Sequence, residues 1–158
     1  MNVVELRLIA TARDLCRRTG RRPREAFMRR AVSTAYYAMF HALCRRCADT
    51  LIGGKHWRSD AWNRVYRGLG HSGAKKTLSS QKELSDLPAS VASFGGVFVL
   101  LQQEREIADY DPMPYQRYFS ATETLVEQAS SAIARLNELD DDNRRKLATM
   151  LLIRARQQ

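Results

Sequence analysis

Apolar residues recur at helical spacing along most of the chain and predict an all-α protein. Residues 24–51 are hydrophobic almost all the way round, which is typical of a helix at the centre of a bundle. Small side chains recur within this stretch and let a neighbouring backbone come close: Ala31, Ala35, Ala38 and Ala42. We therefore predict one long central helix over residues 24–51, which ends before Gly53-Gly54.

Further helices are predicted on both sides of the central one. Apolar stripes at helical spacing place them at about 2–19, 59–69, 88–109, 115–139 and 140–156, with Ser59 and Asp140 as N-caps. The segment 70–87 is predicted to be a mobile loop with at most a short helix. No segment shows the period of two that strands need. The prediction is an all-α bundle of five to six helices.

Two adjacent glycines, Gly95 and Gly96, fall inside the helix predicted over 88–109. Glycine in a helix interior costs roughly 1 kcal/mol relative to alanine. The pair therefore predicts either a bend in this helix or the close approach of another backbone, and the sequence leaves both open.

Length and composition favour a single domain over residues 1–158, in which 140–158 form an extra C-terminal helix. The chain has no apolar run of about 18 residues that would span a membrane. Its first residues lack the apolar core of a secretory signal, so we expect a cytoplasmic protein that does not contact membranes. Cys44 and Cys47 are spaced C-x-x-C without a second such pair, so these cysteines and Cys16 are predicted to be buried thiols. Neither a metal site nor a cofactor is predicted.

Positive charge is concentrated in the first half of the chain. The net charge is +9, and residues 1–76 hold 17 Lys or Arg against 5 Asp or Glu. Arginine forks suit phosphates, and a one-sided basic surface attracts polyanions. The alternative is a solvated surface without specific meaning. The candidate phosphate-binding residues are Arg29, Arg30, Arg45, Arg46, Arg64, Arg67 and His71.

Two stretches carry a resemblance to a known family. The first is AYYAMFHAL at 35–43, preceded by Arg30, and the second is EREIADYDP at 104–112. Together they resemble the HEPN superfamily of small helical domains, and more closely its bacterial branch with R-x-x-YYA-x-F-H and R-x-x-A-D-Y motifs. The resemblance covers roughly residues 24–140. The matching residues are Arg30, Tyr36, Tyr37, Ala38, Phe40 and His41, then Arg105, Ala108, Asp109 and Tyr110.

The resemblance implies an antiparallel four-helix core that commonly dimerises. Many HEPN proteins are metal-independent endoribonucleases of toxin–antitoxin and antiphage systems. In these an arginine binds the phosphate, and a histidine a few residues later moves protons during attack by the 2′-hydroxyl. Other members lack that pair and bind RNA, nucleotides or a protein partner such as a nucleotidyltransferase. We therefore expect a homodimer whose further partner is RNA, a nucleotide or a cognate protein.

The chain departs from the ribonuclease signature where the histidine is expected, because Tyr110 stands there after Arg105. A tyrosine with its ordinary pKa of about 10 is a poor base near neutrality, although it can donate a hydrogen bond. Arg64 and His71 also fit the spacing, but one such match is expected by chance in this arginine-rich chain, so we discount it. The candidate catalytic residues are Arg105, Asp109, Tyr110 and His41.

Each candidate also has a purely structural interpretation. Arg105 and Asp109 are four residues apart and can pair on one helix face. Tyr110 can close the end of the bundle, and His41 can be a hydrogen-bonded core histidine. Trp57 and Trp62 can stack on bases, although at least one of them is expected in the core. A non-catalytic interaction protein is therefore the alternative function.

Overall fold

The computed structural model describes residues 3–18, 24–115 and 119–153. These ranges contain no strand, which confirms the all-α prediction. A π-helical turn, Asp49–Gly53, and a 3-10 turn, Gly54–His56, follow the second of the eight α-helices. The helices are α1 (Val4–Arg17), α2 (Arg24–Ala48), α3 (Asp60–Gly68), α4 (His71–Ser79), α5 (Gln81–Leu84), α6 (Ala89–Tyr110), α7 (Phe119–Asn137) and α8 (Asp141–Leu152).

Helix α2 is the centre of the fold, as its apolar pattern predicts. It contacts α1, α6 and α7 along its length, and also α3 and α8. Its side chains are buried on every side, and Tyr36, Met39 and Leu43 are fully enclosed. The helix ends through the π-helical turn at Gly53, whose φ of +99° lies where glycine is unstrained. None of the described helices is long and apolar enough to span a membrane.

The segment predicted as a mobile loop is helical instead, because it forms α4 and α5. Ala74, Thr77 and Leu78 are the buried residues of α4. Ser80 begins α5, since its hydroxyl accepts a hydrogen bond from the backbone N–H of Glu83 at 3.3 Å. The prediction was wrong because an apolar face this short shows no clear period. Because of these two helices, the described residues form more α-helices than the five or six expected.

Gly95 shows how α4 packs on α6. Helix α6 runs unbroken past both glycines. A Cβ at Gly95 would lie 2.7 Å from the carbonyl oxygen of Leu78, whereas a Cβ at Gly96 would meet nothing within 4 Å. Of the two alternatives left open by the sequence, the close approach of another backbone is therefore the correct one at Gly95.

Local capping residues start two helices where the sequence predicts them. The Ser59 hydroxyl accepts a hydrogen bond from the Trp62 N–H at 3.2 Å, and the Asp140 carboxylate accepts one from the Asn143 N–H at 2.9 Å. These bonds satisfy donors that the first turn of a helix leaves free. The predicted helix ends at 2, 19, 116–118 and 154–156 lie outside the described residues.

All three cysteines are buried free thiols, as predicted. Burial raises the pKa of the Cys16 thiol to about 11 and those of Cys44 and Cys47 to about 12. The thiolate, which is the form that attacks substrates or binds metals, is therefore disfavoured at all three positions.

Candidate functional site

Arg105, in the last two turns of α6, lies against the adjacent tyrosines of α2. Its guanidinium carbon is 5.2 Å from the ring centre of Tyr36 and 5.9 Å from that of Tyr37. Its Nη1 donates a hydrogen bond to the Tyr37 hydroxyl at 3.4 Å. A guanidinium over an aromatic face is attracted by the ring electrons. The two stretches that carry the resemblance therefore meet in space.

Asp109 lies one turn after Arg105 and takes part in the same cluster. Its Oδ2 is 3.8 Å from Arg105 Nη1 and accepts a hydrogen bond from the Ser33 hydroxyl at 3.2 Å. The ion pair expected from the spacing is present, but it is long. Among the described residues, one 3.4 Å hydrogen bond and this long pair are the polar contacts of the Arg105 side chain. A guanidinium carries five N–H donors; the Nε–H of Arg105 is buried without a partner within the described ranges, and 15% of the side chain is exposed to an anion.

Tyr110 does not close the bundle, because 74% of its surface is exposed. The Arg105 guanidinium lies 5.9 Å from the centre of its ring. The structural interpretation of Tyr110 as a plug is therefore not supported. Its phenol stands in solvent beside Arg105, where it can stack on a ligand or donate a hydrogen bond to it.

His71 enters this cluster from the first turn of α4, although its match to the family spacing was discounted. Its Nδ1 is 2.7 Å from the Tyr36 hydroxyl oxygen. Its ring stacks on Phe40 with 3.8 Å between ring centres and meets Tyr37 edge-on at 6.0 Å. His71 therefore contacts the same two tyrosines as Arg105, although it comes from another helix. No local signal indicates this, because 35 residues separate Tyr36 from His71.

The surroundings of His71 favour its neutral form. Partial burial lowers the pKa of His71, and the positive charges of Arg105 and then of His41 lower it further. Burial raises the pKa of the Tyr36 hydroxyl well above its ordinary value, so this group stays protonated. When His71 donates its Nδ1–H to Tyr36, the lone pair of Nε2 is free to take a proton. The His71 side chain is exposed, so a ligand can reach it.

His41 faces a different neighbour. Its Nδ1 is 2.6 Å from the Tyr66 hydroxyl, and the two rings stack with 5.9 Å between centres. Burial lowers the pKa of His41, an effect that the charge of Glu5 partly offsets. This half-buried place under α3 fits the structural interpretation of His41, and the structure shows no contact between it and Arg105.

Arg29 is engaged with the backbone that ends α6. Its Nη1 donates hydrogen bonds to the carbonyls of Ala108 at 2.8 Å and Asp111 at 3.0 Å, and its Nη2 donates to the carbonyl of Met113. Its Nε donates to the Glu25 carboxylate at 3.0 Å. Ala108 lies in the last turn of α6, whose carbonyls need donors from elsewhere, and Asp111 and Met113 follow this helix. The surroundings of Arg29 therefore do not favour the phosphate-binding role predicted for it.

Arg45 and Arg46 are also engaged within the protein. Arg45 Nε donates to the buried Glu5 carboxylate at 2.7 Å. Arg46 donates to the side-chain oxygen of Asn137, and burial lowers its pKa. Neither guanidinium is free in the way that a phosphate-binding arginine needs to be.

The remaining predicted arginines, Arg30, Arg64 and Arg67, are exposed. The rise of about 1.5 Å per helical residue places Arg30 and Arg46 about 24 Å apart along α2. The candidate phosphate-binding residues therefore do not form one continuous patch. His71 is the member of that set that contacts the tyrosines beside Arg105.

The Arg105 cluster is exposed at Tyr110 and His71, whereas 15% of the Arg105 side chain is exposed and Tyr36 is buried. A groove of about 560 Å³ between α6 and α7 is lined by Glu123, Glu127 and several hydroxyl side chains, and it does not include Arg105. Among the described residues, no three side chains of His, Cys, Asp or Glu are placed to share a metal ion.

No protein-family model, no curated protein and no solved structure matches the chain. The geometry described above is therefore the basis for a functional conclusion.

Proposed function

We propose that this protein is a HEPN-like helical bundle that binds RNA at Arg105 and cleaves it there without a metal ion. The observation that carries the proposal is that Arg105 and His71 contact the same pair of tyrosines, Tyr36 and Tyr37. An arginine and a histidine whose lowered pKa favours the neutral form thus belong to one cluster. His71 takes the role that the family signature gives to the position of Tyr110. The long helices α1, α2, α6 and α7 correspond to the four-helix core of the family.

The chemistry follows from the groups in the cluster. Arg105 holds the non-bridging oxygens of a phosphodiester and stabilises the charge that develops on them. Nε2 of His71 takes the proton of the 2′-hydroxyl, the 2′-oxygen attacks phosphorus, and the bond to the 5′-oxygen breaks. The 5′-oxygen takes up a proton from water, so the products are a 2′,3′-cyclic phosphate and a 5′-hydroxyl. Tyr36 fixes the orientation of the His71 ring.

The proposal includes a homodimer. Exposed apolar residues, Leu100, Ile107 and Met113, lie along α6 and just beyond it. A second copy bound at this surface covers them, and the pairing of two Arg105 clusters in the dimer rests on the ribonucleases that the sequence resembles. A cytoplasmic role in a toxin–antitoxin or antiphage module belongs to the same proposal and rests on that resemblance.

Incubation of the purified protein with mixed RNA, with and without EDTA, tests cleavage. We expect fragments with 2′,3′-cyclic phosphate ends under both conditions. Loss of a proton-transfer group or of the phosphate contact lowers the rate by about 100-fold or more. Arg105→Ala and His71→Ala should therefore be nearly inactive. The matched controls Arg64→Ala and His56→Ala change exposed residues of the same types and should remain active. Intact RNA in every lane would reject cleavage.

Binding is measured separately, by fluorescence polarisation of a labelled single-stranded oligonucleotide with 2′-deoxyribose, which cannot be cleaved by this route. The affinity should fall steeply as salt rises, since phosphate contacts release counterions. Arg105→Ala should weaken binding, and Arg64→Ala should serve as the control. Weak binding that salt does not change would contradict an RNA ligand.

The exposed apolar residues on α6 also favour the second candidate function, a non-catalytic protein that pairs with itself or with a nucleotidyltransferase-type partner. In that case Ile107→Glu abolishes the assembly, and Arg105→Ala leaves it intact. Size-exclusion chromatography with light scattering measures the molar mass of the assembly in each of the two variants. A protein partner that co-purifies without nucleic acid, together with negative RNA assays, would establish this function in place of the first.

A further inference from the structure

A second cavity lies where α2 is joined to α3. It is about 12 Å from the Arg105 cluster, measured along α2. It has a volume of about 220 Å³, and its lining includes Trp57, Arg58, Trp62, Asn63, Tyr66 and Arg67. We propose that this cavity binds a nucleotide, with the base stacked on the aromatic rings and the phosphate held by Arg58 and Arg67. The inference does not depend on cleavage at the Arg105 cluster.

The floor of the cavity is a rigid aromatic surface. Trp62 and Tyr66 stack with 4.9 Å between ring centres and 21° between ring planes. Trp62 Nε1 donates a hydrogen bond to Asp49 at 2.9 Å, and the Tyr66 hydroxyl is fixed by His41 at 2.6 Å. Because their polar atoms already have partners, the two rings present a pre-formed apolar face, as small-ligand sites usually do.

The rim of the cavity combines an indole with a guanidinium. Trp57 is 42% exposed, and the guanidinium carbon of Arg58 lies 4.1 Å from the centre of its ring. An exposed tryptophan is a stacking surface for any base, because every base has an aromatic face. A base that binds here contacts the indole and brings its phosphate within reach of Arg58.

The backbone at Arg58 is strained. Its φ of +67° is the one positive φ among the described non-glycine residues. This left-handed conformation is unfavourable for a residue with a Cβ, and such outliers cluster at ligand sites. Asn63 Nδ2 donates a hydrogen bond to the Arg58 carbonyl at 3.0 Å and so helps to hold the turn. Glycine would relieve the strain, but it would also remove the guanidinium from the rim.

The charge of the cavity suits a phosphate. Glu5 and Arg45 also line the cavity and pair at 2.7 Å, and Asp49, at 3.6 Å from Arg45, adds a second carboxylate. By contrast, neither Arg58 nor Arg67 pairs with a carboxylate in the described part of the chain. Two arginines beside aromatic rings match a planar base that carries an anion. The volume is below the roughly 300–1,000 Å³ of sites for drug-sized ligands, so it accommodates one ring system with the phosphate at the mouth.

Isothermal titration calorimetry with AMP, GMP, CMP and UMP tests the inference, with adenosine and inorganic phosphate as partial ligands. We expect saturable binding of at least one mononucleotide, tighter than that of either partial ligand. Loss of a stacking partner lowers affinity by about 5- to 100-fold, so Trp57→Ala should show a decrease in that range. Arg67→Ala should weaken binding too, whereas Arg64→Ala, an exposed arginine of the same helix that does not line the cavity, should not.

Arg58→Gly provides a variant that accepts the observed backbone, so its circular dichroism should match that of the wild type while its nucleotide affinity falls. Single-stranded RNA distinguishes the source of the nucleotide. If the ligand is part of a strand, oligonucleotides bind more tightly than mononucleotides, and both Trp57→Ala and Arg105→Ala weaken them. If it is a free nucleotide, Arg105→Ala leaves mononucleotide binding unchanged.

The inference is overturned if no mononucleotide shows saturable binding and Trp57→Ala leaves RNA affinity unchanged. Failure of the Arg105 proposal looks different, since Arg105→Ala would then have no effect on RNA while Trp57→Ala still impairs nucleotide binding.

Discussion

Arg29 and Arg30 are neighbours in α2. The guanidinium of Arg29, and not that of Arg30, donates hydrogen bonds to the backbone at the end of α6. Arg29→Ala leaves several carbonyls without a charged donor, so we expect the free energy of unfolding to fall by about 2–3 kcal/mol. The exposed Arg30 is the control, and Arg30→Ala should change stability by less than about 0.5 kcal/mol. Urea unfolding measures both. Equal losses would contradict the role of Arg29 at the end of α6.

Arg105 and His71 are linked by charge as well as by their shared tyrosines. Partial burial is the main cause of the low pKa of His71, and the charge of Arg105 is the next. Arg105→Gln removes that charge, so the pKa of His71 should rise towards its ordinary value of about 6.5. NMR titration of the imidazole protons measures the change, with Arg64→Gln as control, because the charge of Arg64 does not contribute to the shift of the His71 pKa. An unchanged pKa in both variants would show that Arg105 does not act on His71.

Contacts between residues a few positions apart could be predicted from the sequence. Contacts between residues far apart in the chain could not. The caps at Ser59 and Asp140 and the pair of Arg105 with Asp109 each depend on a spacing of three or four residues. The contact of His71 with Tyr36 depends instead on the formation of α4 and on its packing. Nothing near His71 in the chain indicates either.

Two adjacent glycines of α6 have opposite surroundings, and the difference is a property of helix packing. Gly95→Ala forces a methyl group against the Leu78 carbonyl of α4 and should destabilise the protein by about 1–3 kcal/mol, as overpacking does. Gly96→Ala meets open space and should stabilise it by up to about 1 kcal/mol, since alanine favours the helix. Thermal unfolding of the two variants measures the contrast. Shifts of equal sign would contradict the packing described for α4.

The long helices could be predicted because their periods repeat over many turns. Helix α2 is apolar over 25 residues, and its centre-of-bundle position follows from that alone. Helix α4 has nine residues with three buried ones, of which one is a threonine. A pattern that short is not distinguishable from a loop. The burial that makes α4 helical is supplied by α6, which the local sequence cannot show.

The stability of the whole molecule should depend on pH through its partly buried histidines. Burial lowers the folded-state pKa values of both His41 and His71 below the ordinary value of 6.5. As pH falls through that value, the unfolded chain takes up protons before the folded one does. Stability is therefore complete above pH 6.5 and is lost progressively below it.

Thermal unfolding between pH 7.5 and 5.5 measures this loss. His41→Gln lacks the hydrogen bond to Tyr66 and should be less stable at pH 7.5, but its stability should change less with pH than that of the wild type. His56→Gln changes an exposed histidine and should follow the wild type. If the stability of His41→Gln fell with pH as steeply as that of the wild type, the assignment of this pH dependence to His41 would be wrong.

At the scale of the whole molecule, the two proposed sites lie along one side of α2 and are joined by aromatic contacts. His71 stacks on Phe40, Phe40 meets His41, His41 stacks on Tyr66, and Tyr66 stacks on Trp62. The sequence predicts a basic first half but not this arrangement. The packing of α3 on α2 and of α4 on α6 decides which histidines and tryptophans of the protein reach solvent.

The contact between Gly95 and Leu78 has a consequence for which substitutions the proposed activity tolerates. It fixes the separation of the helix that carries His71 from the helix that carries Arg105, although Gly95 is about 15 Å from Arg105 along α6. If the protein cleaves RNA as proposed, substitutions at Gly95 should be recovered together with those at Arg105 and His71 in a genetic selection for inactive but folded variants, and those at Gly96 should not. A position without a side chain would then be as intolerant of change as the groups proposed to contact the ligand.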